Sequence, residues 1–294
     1  MTKAIAPPQN IAVVGNPNIP DALAVAQEVC DFLKTHGARS LTGSLYDAQL
    51  RNAVQEKAFD LVIALGGDGT MLRAGHLCAP VDIPLLGINI GHFGFLVEIK
   101  SENWQKVLPR LFNGDYRYEK RMMLSAHCIC KDQDGAVFDV INDVVVARGQ
   151  FVRPIEVEAI LDGSHITSYI ADGLIASTPT GSTAYALAAG GPILPPELRN
   201  ILLMPVAPHL SVDRAVVLSE GAEVLIRVKT DHEAVVSIDG QTPVPLQSGD
   251  GVRITAHQKS LFMVRFEDPG YFYRNLTAYM EHHPLINIKT NDQS

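Results

Sequence analysis

Two glycine- and hydroxyl-rich turns hold the residues with which this chain can do chemistry. The longer turn lies in Asp172 to Pro192, DGLIASTPTGSTAYALAAGGP. It opens with an apolar run at Leu174 to Ala176. Ser177, Thr178, Pro179, Thr180, Gly181, Ser182 and Thr183 follow as a polar turn, and then a small-residue helix over Ala184 to Ala189. Gly190, Gly191 and Pro192 stop that helix. A strand, a polar turn and a helix start present free N–H groups and hydroxyls to an anionic or sugar-bearing ligand. Small side chains let such a ligand come close.

The second turn is GGDGT, Gly66 to Thr70. It follows the apolar run Leu61 to Leu65, at the strand end where open α/β sheets bind ligands. Gly66, Gly67 and Gly69 allow tight backbone geometry and close approach of phosphate. Thr70 is placed to cap a helix starting near Met71. Asp68 has two chemical roles open to it: accepting a proton from a hydroxyl nucleophile, or helping to hold a phosphate-bound metal. The plainer reading is a glycine turn with Asp68 as a helix N-cap. A further loop, Asn89 to Leu96 (NIGHFGFL), again follows an apolar run. His127, Cys128 and Cys130 read as neighbours on one strand, because no second ligand cluster has zinc spacing.

Three familiar signatures are missing. No Gly-Lys dipeptide occurs, so there is no P-loop. No G-x-G-x-x-G follows the first strand, which disfavours a dehydrogenase. No G-x-S-x-G elbow occurs, which disfavours a serine hydrolase.

The elements that position these turns fall into two patterns. In the first third, Ile11 to Gly15, Leu61 to Leu65 and Pro84 to Ile90 read as buried parallel strands. Pro20 and Asp21 open a helix with Val25, Val29, Phe32 and Leu33 on one face, and Gly37 is its stop. Asn103 to Phe112 reads as a helix despite Pro109. This βαβ pattern predicts a three-layer α/β domain. After about residue 117, short β-rich runs take over: Met122–Cys130, Val137–Val146, Ile155–Leu161, Val216–Ser219, Val224–Val228, Ala234–Ile238, Val252–Ala256 and Leu261–Phe266. Asp134-Gly135, Asp162-Gly163 and Asp239-Gly240 are hairpin signals, and the spacing predicts an antiparallel sandwich. The expected fold class is therefore α/β plus all-β.

Composition narrows the function classes. Hydrophobic residues make up 47% of 294, enough for one or two packed domains. A formal net charge of −8 argues against nonspecific binding to nucleic acid or to an anionic membrane, which needs a basic face. The uncharged stretch Gly173 to Pro196 is long enough to span a bilayer, but its four prolines and many Ser, Thr and Gly rule against that. Residues 1–10 show no basic-then-apolar leader pattern, and Cys30, Cys78, Cys128 and Cys130 show no paired framework. Reduced thiols and a cytoplasmic location are expected.

Taken in order, GGDGT, NIGHFGFL, INDVVV, DGLIASTPTGSTAYALAAGGPI and APHLS closely resemble the NAD kinases, from about Ile11 to Asn275. GGDGT alone is shared with the phosphofructokinases and the diacylglycerol and sphingosine kinases. The 172–192 segment sets the NAD kinases apart. The resemblance implies an N-terminal Rossmann-like three-layer α/β domain over 1–117 and a C-terminal β-sandwich-like domain over 118–267. The second would bind NAD and carry oligomerisation, and the tail 268–294 would pack back on the first. The implied reaction moves the terminal phosphoryl of ATP to the 2′-hydroxyl of the adenosine ribose of NAD, giving NADP, with a divalent metal, Mg²⁺.

By the same resemblance Asp68 is the catalytic carboxylate and general base, and Gly69 approaches the dinucleotide. Gly66, Gly67, Gly69 and Thr70 line phosphate, and Arg73 meets phosphate one helical turn on. Asn142 and Asp143 hold the ribose hydroxyls. Asp172 lies near the nicotinamide end. Thr183, Ala184, Tyr185, Ala186, Leu187 and Ala188 surround adenine and ribose. Arg153 and Gln241 fall at more variable binding positions. The metal is expected to come with the triphosphate, and no ligand of the chain's own is assigned. A homodimer or homotetramer is implied. Family members commonly carry Asn-Glu where this chain has Asn142-Asp143, which keeps the charge on a side chain one methylene shorter. Two other readings stand beside this one, a kinase for another hydroxyl acceptor and a non-catalytic NAD(P)-binding regulator. The 172–192 segment speaks against the first and the retained Asp68 against the second.

Overall fold

The computed structural model describes residues 5–91, 94–130, 133–209 and 214–277. His92 and Phe93 of the NIGHFGFL loop, the end of APHLS, and residues 278–294 of the tail lie outside them. The chain forms two compact units, Met1–Lys120 with Leu261–Ser294, and Arg121–Ser260.

The first unit is built on parallel strands. Its elements are β1 (Asn10–Gly15), α1 (Ala22–Thr35), β2 (Arg39–Ser44), α2 (Ala48–Gln55), β3 (Leu61–Leu65), α3 (Asp68–Cys78), β4 (Leu85–Asn89), β5 (Ile99–Lys100), α4 (Trp104–Val107) and α5 (Pro109–Phe112). The strand order is β2-β1-β3-β4. In register, Ile63 lies beside Val13 and Leu86. β3 and β4 are buried along their whole length, as unbroken apolar runs in a parallel sheet require. Alternate residues Ile11, Val13, Ile63, Leu65, Leu86 and Ile88 pack with Val29 and Leu33 of α1 and with Trp104, Leu108 and Leu111. α3 packs against β3 and β4. This is the three-layer arrangement that the βαβ pattern predicts.

Some boundaries differ from expectation. The helix read over Asn103 to Phe112 divides into α4 and α5 because Pro109 has no N–H to continue the ladder. β2 and α2 carry weak sequence signals. β2 is a partly exposed edge strand, and α2 owes its start to Asp47, whose side chain accepts the N–H groups of Gln49 and Leu50.

The second unit is an antiparallel sandwich. Its strands are β6 (Arg117–Cys130), β7 (Gln133–Val140), β8 (Asp143–Arg148), β9 (Ile155–Leu161), β10 (Ser164–Ala171), β11 (Gly173–Ser177), β12 (Asn200–Val206), β13 (Val216–Ser219), β14 (Val224–Lys229), β15 (Ala234–Ile238), β16 (Val244–Leu246) and β17 (Gly251–Arg265). One sheet runs β10-β9-β14-β17, with β6 beside β17 and β7 beside β6. The other runs β13-β12-β11-β8-β15-β16. The run expected over Val137–Val146 is two strands broken at Ile141-Asn142, and the two runs after Gly251 are one long strand. The last residues of β17 and the first of β6 belong to the first unit, followed by α7 (Tyr271–Arg274).

Asp162-Gly163 and Asp239-Gly240 are hairpin turns with positive φ at both residues (49° and 78°; 49° and 67°). Asp134-Gly135 is not a turn. It lies inside β7, because the β6–β7 pairing already begins at Cys130 and Gln133.

Val144, Val146, Leu174 and Ala176 point into the sandwich core. Between them, Val145 and Ile175 face the other way and pack with Leu202, Met204, Ala186 and Leu194. The apolar run 174–176 is therefore covered on both faces. Its outer cover is the segment after the strand, a 3₁₀ turn (Gly181–Thr183) and α6 (Tyr185–Ala188), which ends at Gly190 with φ 89°. Among the described residues no helix is long and apolar enough to cross a membrane.

Candidate active site

In the first unit the site is the glycine turn between β3 and α3. Gly66 has φ 153°, and a Cβ there would overlap the Thr70 hydroxyl. α3 starts at Asp68 with Gly67 as N-cap and no side-chain cap. Neither Thr70 nor Asp68 therefore caps this helix. Thr70 is buried, and its Oγ1 accepts the Nδ2–H of Asn16 at 3.0 Å, so its hydroxyl locks the turn from inside. Around Gly67 and Gly69 nothing among the described residues lies within 4 Å of where a Cβ would stand. That leaves open backbone at a helix N-terminus, where N–H groups favour anions. Arg73 stands exposed on α3.

The Asp68 carboxylate is fixed. Its Oδ2 accepts the Phe95 N–H at 2.8 Å and its Oδ1 accepts the Leu96 N–H at 3.0 Å. Two such bonds set the plane of the group. Gly94 fits against it, since a Cβ there would overlap the carboxylate. The loop is braced from below. Buried Arg265 donates to the Leu96 carbonyl at 3.0 Å and to Glu119 at 3.1 Å.

In the second unit the site is the turn between β7 and β8. Asp239, in the hairpin after β15, accepts three successive N–H groups: Ile141 at 2.8 Å, Asn142 at 2.7 Å and Asp143 at 2.9 Å. From the other side Thr178 Oγ1 donates to the Ile141 carbonyl at 2.6 Å, and the Thr178 N–H donates to the Asn142 carbonyl at 2.8 Å. Ser177 Oγ adds a bond to the same Asn142 oxygen at 3.1 Å. The Asn142 Oδ1 is buried and makes no hydrogen bond among the described residues. Asp143 is buried beside it. Burial, and then the Asp239 charge, push its carboxyl up to about 7, while the Tyr185 N–H pulls the other way.

The hydroxyls of the 177–183 turn do more shaping than presenting. Ser177, Thr178, Thr180 and Ser182 are buried. Ser182 Oγ donates to the Pro179 carbonyl and accepts the Leu194 N–H, and Thr183 Oγ1 donates to the Thr180 carbonyl. A buried turn must satisfy its own peptide groups, and these side chains do so. Arg121, also buried, donates to Thr180 Oγ1 at 3.3 Å.

Residues 46–116 match the ATP-NAD kinase N-terminal domain, and residues 141–266 match the ATP-NAD kinase C-terminal domain. The chain is 38% identical over 271 residues to the NAD kinase of Heliobacterium modesticaldum, covering 89% of this chain and 95% of that one. It is 36% identical over 274 residues to the NAD kinase of Dehalococcoides mccartyi, covering 93% and 96%. This chain belongs to the NAD kinase family. Among solved structures it is similar to an NAD kinase from Archaeoglobus fulgidus in complex with ATP. That match has a TM-score of 0.74 and 25% identity, covering 94% of this chain and all of that one. Yeast NADH kinase complexed with NADH shares the fold, with a TM-score of 0.82 and 22% identity over 95% and 89% of the two chains.

The residues that the NAD kinase resemblance implies are thus held to different degrees. The Asp68 carboxylate is held by the Phe95 and Leu96 N–H groups, and Asn142 and Asp143 are held through their peptide groups. Asp172 pairs with Arg148, whose Nε lies 3.1 Å from its Oδ1. Of the 183–188 stretch, Ala186 is buried under Leu194, and Tyr185 and Ala188 are exposed. Arg153 and Gln241 have exposed side chains. Asp239, Thr178 and Arg148 support this family site without standing out in the sequence. Asp239 carries one local signal, its place before Gly240, which reads only as a hairpin. Among the described residues no three His, Cys, Asp or Glu side chains group as a metal site, and His127 meets Ser125 instead. All four cysteines are free.

Proposed function

We propose that this NAD kinase family member transfers the terminal phosphoryl of ATP to the 2′-hydroxyl of the adenosine ribose of NAD. The observation that carries the reading is the Asn142-Asp143 pair. A ribose diol has two neighbouring O–H donors. Asn142 Oδ1, buried without a hydrogen bond among the described residues, and the buried carboxylate of the next residue, Asp143, are two acceptors carried by one turn. A buried polar atom left unpaired costs about 1–3 kcal/mol, which a ribose hydroxyl removes on binding.

Asp68 is the general base in this reading. The ribose O2′–H bond breaks and the proton passes to the Asp68 carboxylate. The O2′–P bond forms as the bond from the terminal phosphorus to the ADP oxygen breaks, and ADP leaves. The transition state is loose, so positioning carries much of the catalysis, and a fixed carboxylate suits it. The open backbone at Gly67 and Gly69 suits the phosphates. A Mg²⁺ ion in this reading would arrive with the triphosphate, which together with water would supply most of its oxygens. When bound, that ion would neutralise developing phosphate charge. The ATP bound to the Archaeoglobus fulgidus NAD kinase supports ATP as donor.

A homo-oligomer formed through the β-rich unit is part of the reading. Edge strand β10 exposes Ile166 and Ile170, and the nearby loop exposes Phe151 and Val152, which supports it. Four free cysteines suit a reducing cytoplasm.

The test is to incubate the purified chain with NAD, ATP and Mg²⁺ and couple any NADP to an NADP-specific dehydrogenase. NADP formation is expected. NAD binding without NADP points to a regulator, and no NAD binding removes the dinucleotide reading.

A further inference from the structure

The side chains of Asn142 and Asp143 are only as well placed as the turn that carries them. Three consecutive peptide N–H groups converge on one carboxylate, that of Asp239, which forms an anion nest. A plain connection from β7 in one sheet to β8 in the other needs no such arrangement. A neutral side chain there would lose the charge-assisted strength of all three bonds. On the opposite side, Thr178 and Ser177 take up the Ile141 and Asn142 carbonyls. Gly181 packs so closely that a Cβ would overlap the Asn142 carbonyl. The turn's main-chain groups are satisfied from both flanks, while the Asn142 Oδ1 is left without a hydrogen bond among the described residues.

We propose that Asp239 and Thr178 are positioning residues for the adenosine ribose, clamping the peptide groups of Ile141 to Asp143 so that Asn142 and Asp143 meet the diol in register. The inference rests on the NAD kinase reading. Asp239 has a second consequence. The groups that face Asp143 are the Asp239 carboxylate from the hairpin and the Tyr185 N–H from α6, and the first raises the Asp143 titration. Asp143 accepts a ribose hydrogen most strongly when it is ionised. The apparent second-order rate for NAD, kcat/KM, therefore falls as pH drops through about 7.

The experiment compares wild type, Asp239→Asn, Thr178→Val and Thr178→Ser as full chains, each checked for folding by thermal melting. For Asp239→Asn we expect KM for NAD to rise roughly tenfold or more, with KM for ATP nearly unchanged. The acid limb of kcat/KM for NAD is expected to move to lower pH, because the charge that raises Asp143 is gone. Thr178→Val is expected to raise KM for NAD, and Thr178→Ser, which keeps the hydroxyl, to restore it. The pair keeps the test decisive even where Asp239→Asn does not fold. Unchanged KM for NAD with an unmoved acid limb overturns the proposal, as does Thr178→Ser behaving like Thr178→Val. Wild type that makes no NADP sinks the reading beneath it. Active wild type with indifferent variants sinks the inference alone.

Discussion

The backbone N–H of Phe95 stands 2.8 Å from Oδ2 of Asp68, and Gly94 lies against the same carboxylate with no room for a Cβ. The loop and the Asp68 carboxylate fit as one piece. Gly94→Ala must therefore push Asp68 out of its plane or break the bonds from Phe95 and Leu96. Misplacing a reacting group by about 1 Å costs on the order of 10²-fold. We expect Gly94→Ala to lower kcat by about that factor while the melting temperature falls little, read by steady-state kinetics beside a thermal melt. Activity within a factor of a few of wild type would show that Asp68 is not held by this loop during turnover.

Burial of the Asp143 carboxyl makes stability depend on pH. Its carboxyl is held at about 7 in the fold against an ordinary 3.8. Folding therefore favours its protonated form. Its contribution to stability is fully present below the ordinary value and is lost as pH rises through about 7, where the buried group ionises. Asp143→Asn removes this penalty and the repulsion from Asp239. We expect the variant to be more stable than wild type near pH 8, by on the order of 1–4 kcal/mol, and the gain to shrink toward pH 4. Its KM for NAD is expected to rise at the same time. Chemical denaturation at the two pH values reads the first effect. A variant less stable than wild type near pH 8 would contradict the assigned titration.

Gly181 is tied to the same turn. It is buried, and a Cβ would meet the Asn142 carbonyl, its carbon and its Cα. These are backbone atoms and cannot swing aside. Gly181→Ala is expected to cost about 1–3 kcal/mol of stability by overpacking and to raise KM for NAD. Equilibrium unfolding with kinetics on the folded fraction would detect both, and a neutral outcome would mean that the turn is free to move.

Much of the architecture is legible in the sequence, for local reasons. Leu61–Leu65 is apolar throughout because both faces of β3 are covered, and Leu174–Ala176 is so because α6 and the sandwich core enclose β11. Asp68 and the glycines around it stand out because few folds need that turn. Less legible are contacts that join residues far apart in the chain. Nothing near Asp239 says that its carboxylate holds residues 141–143, nearly a hundred positions away. Thr70 reads as a cap, but its hydroxyl oxygen instead accepts the Nδ2–H of Asn16, on a distant loop. The Arg265–Glu119 pair under Leu96 is equally hidden. Edge strands β2 and β16 are short, mixed in composition and half exposed, so alternation is weak there.

The most direct measurement is the turnover of Asp68→Asn with NAD, ATP and Mg²⁺, with NAD affinity measured by calorimetry on the same sample. Asparagine keeps the shape of the side chain and one acceptor oxygen, but it takes no proton. If Asp68 is the base, kcat falls on the order of 10²–10⁴-fold while NAD still binds within a few-fold of wild type. Turnover near the wild-type rate would contradict the account and leave Asp68 a structural partner of the Phe95 loop.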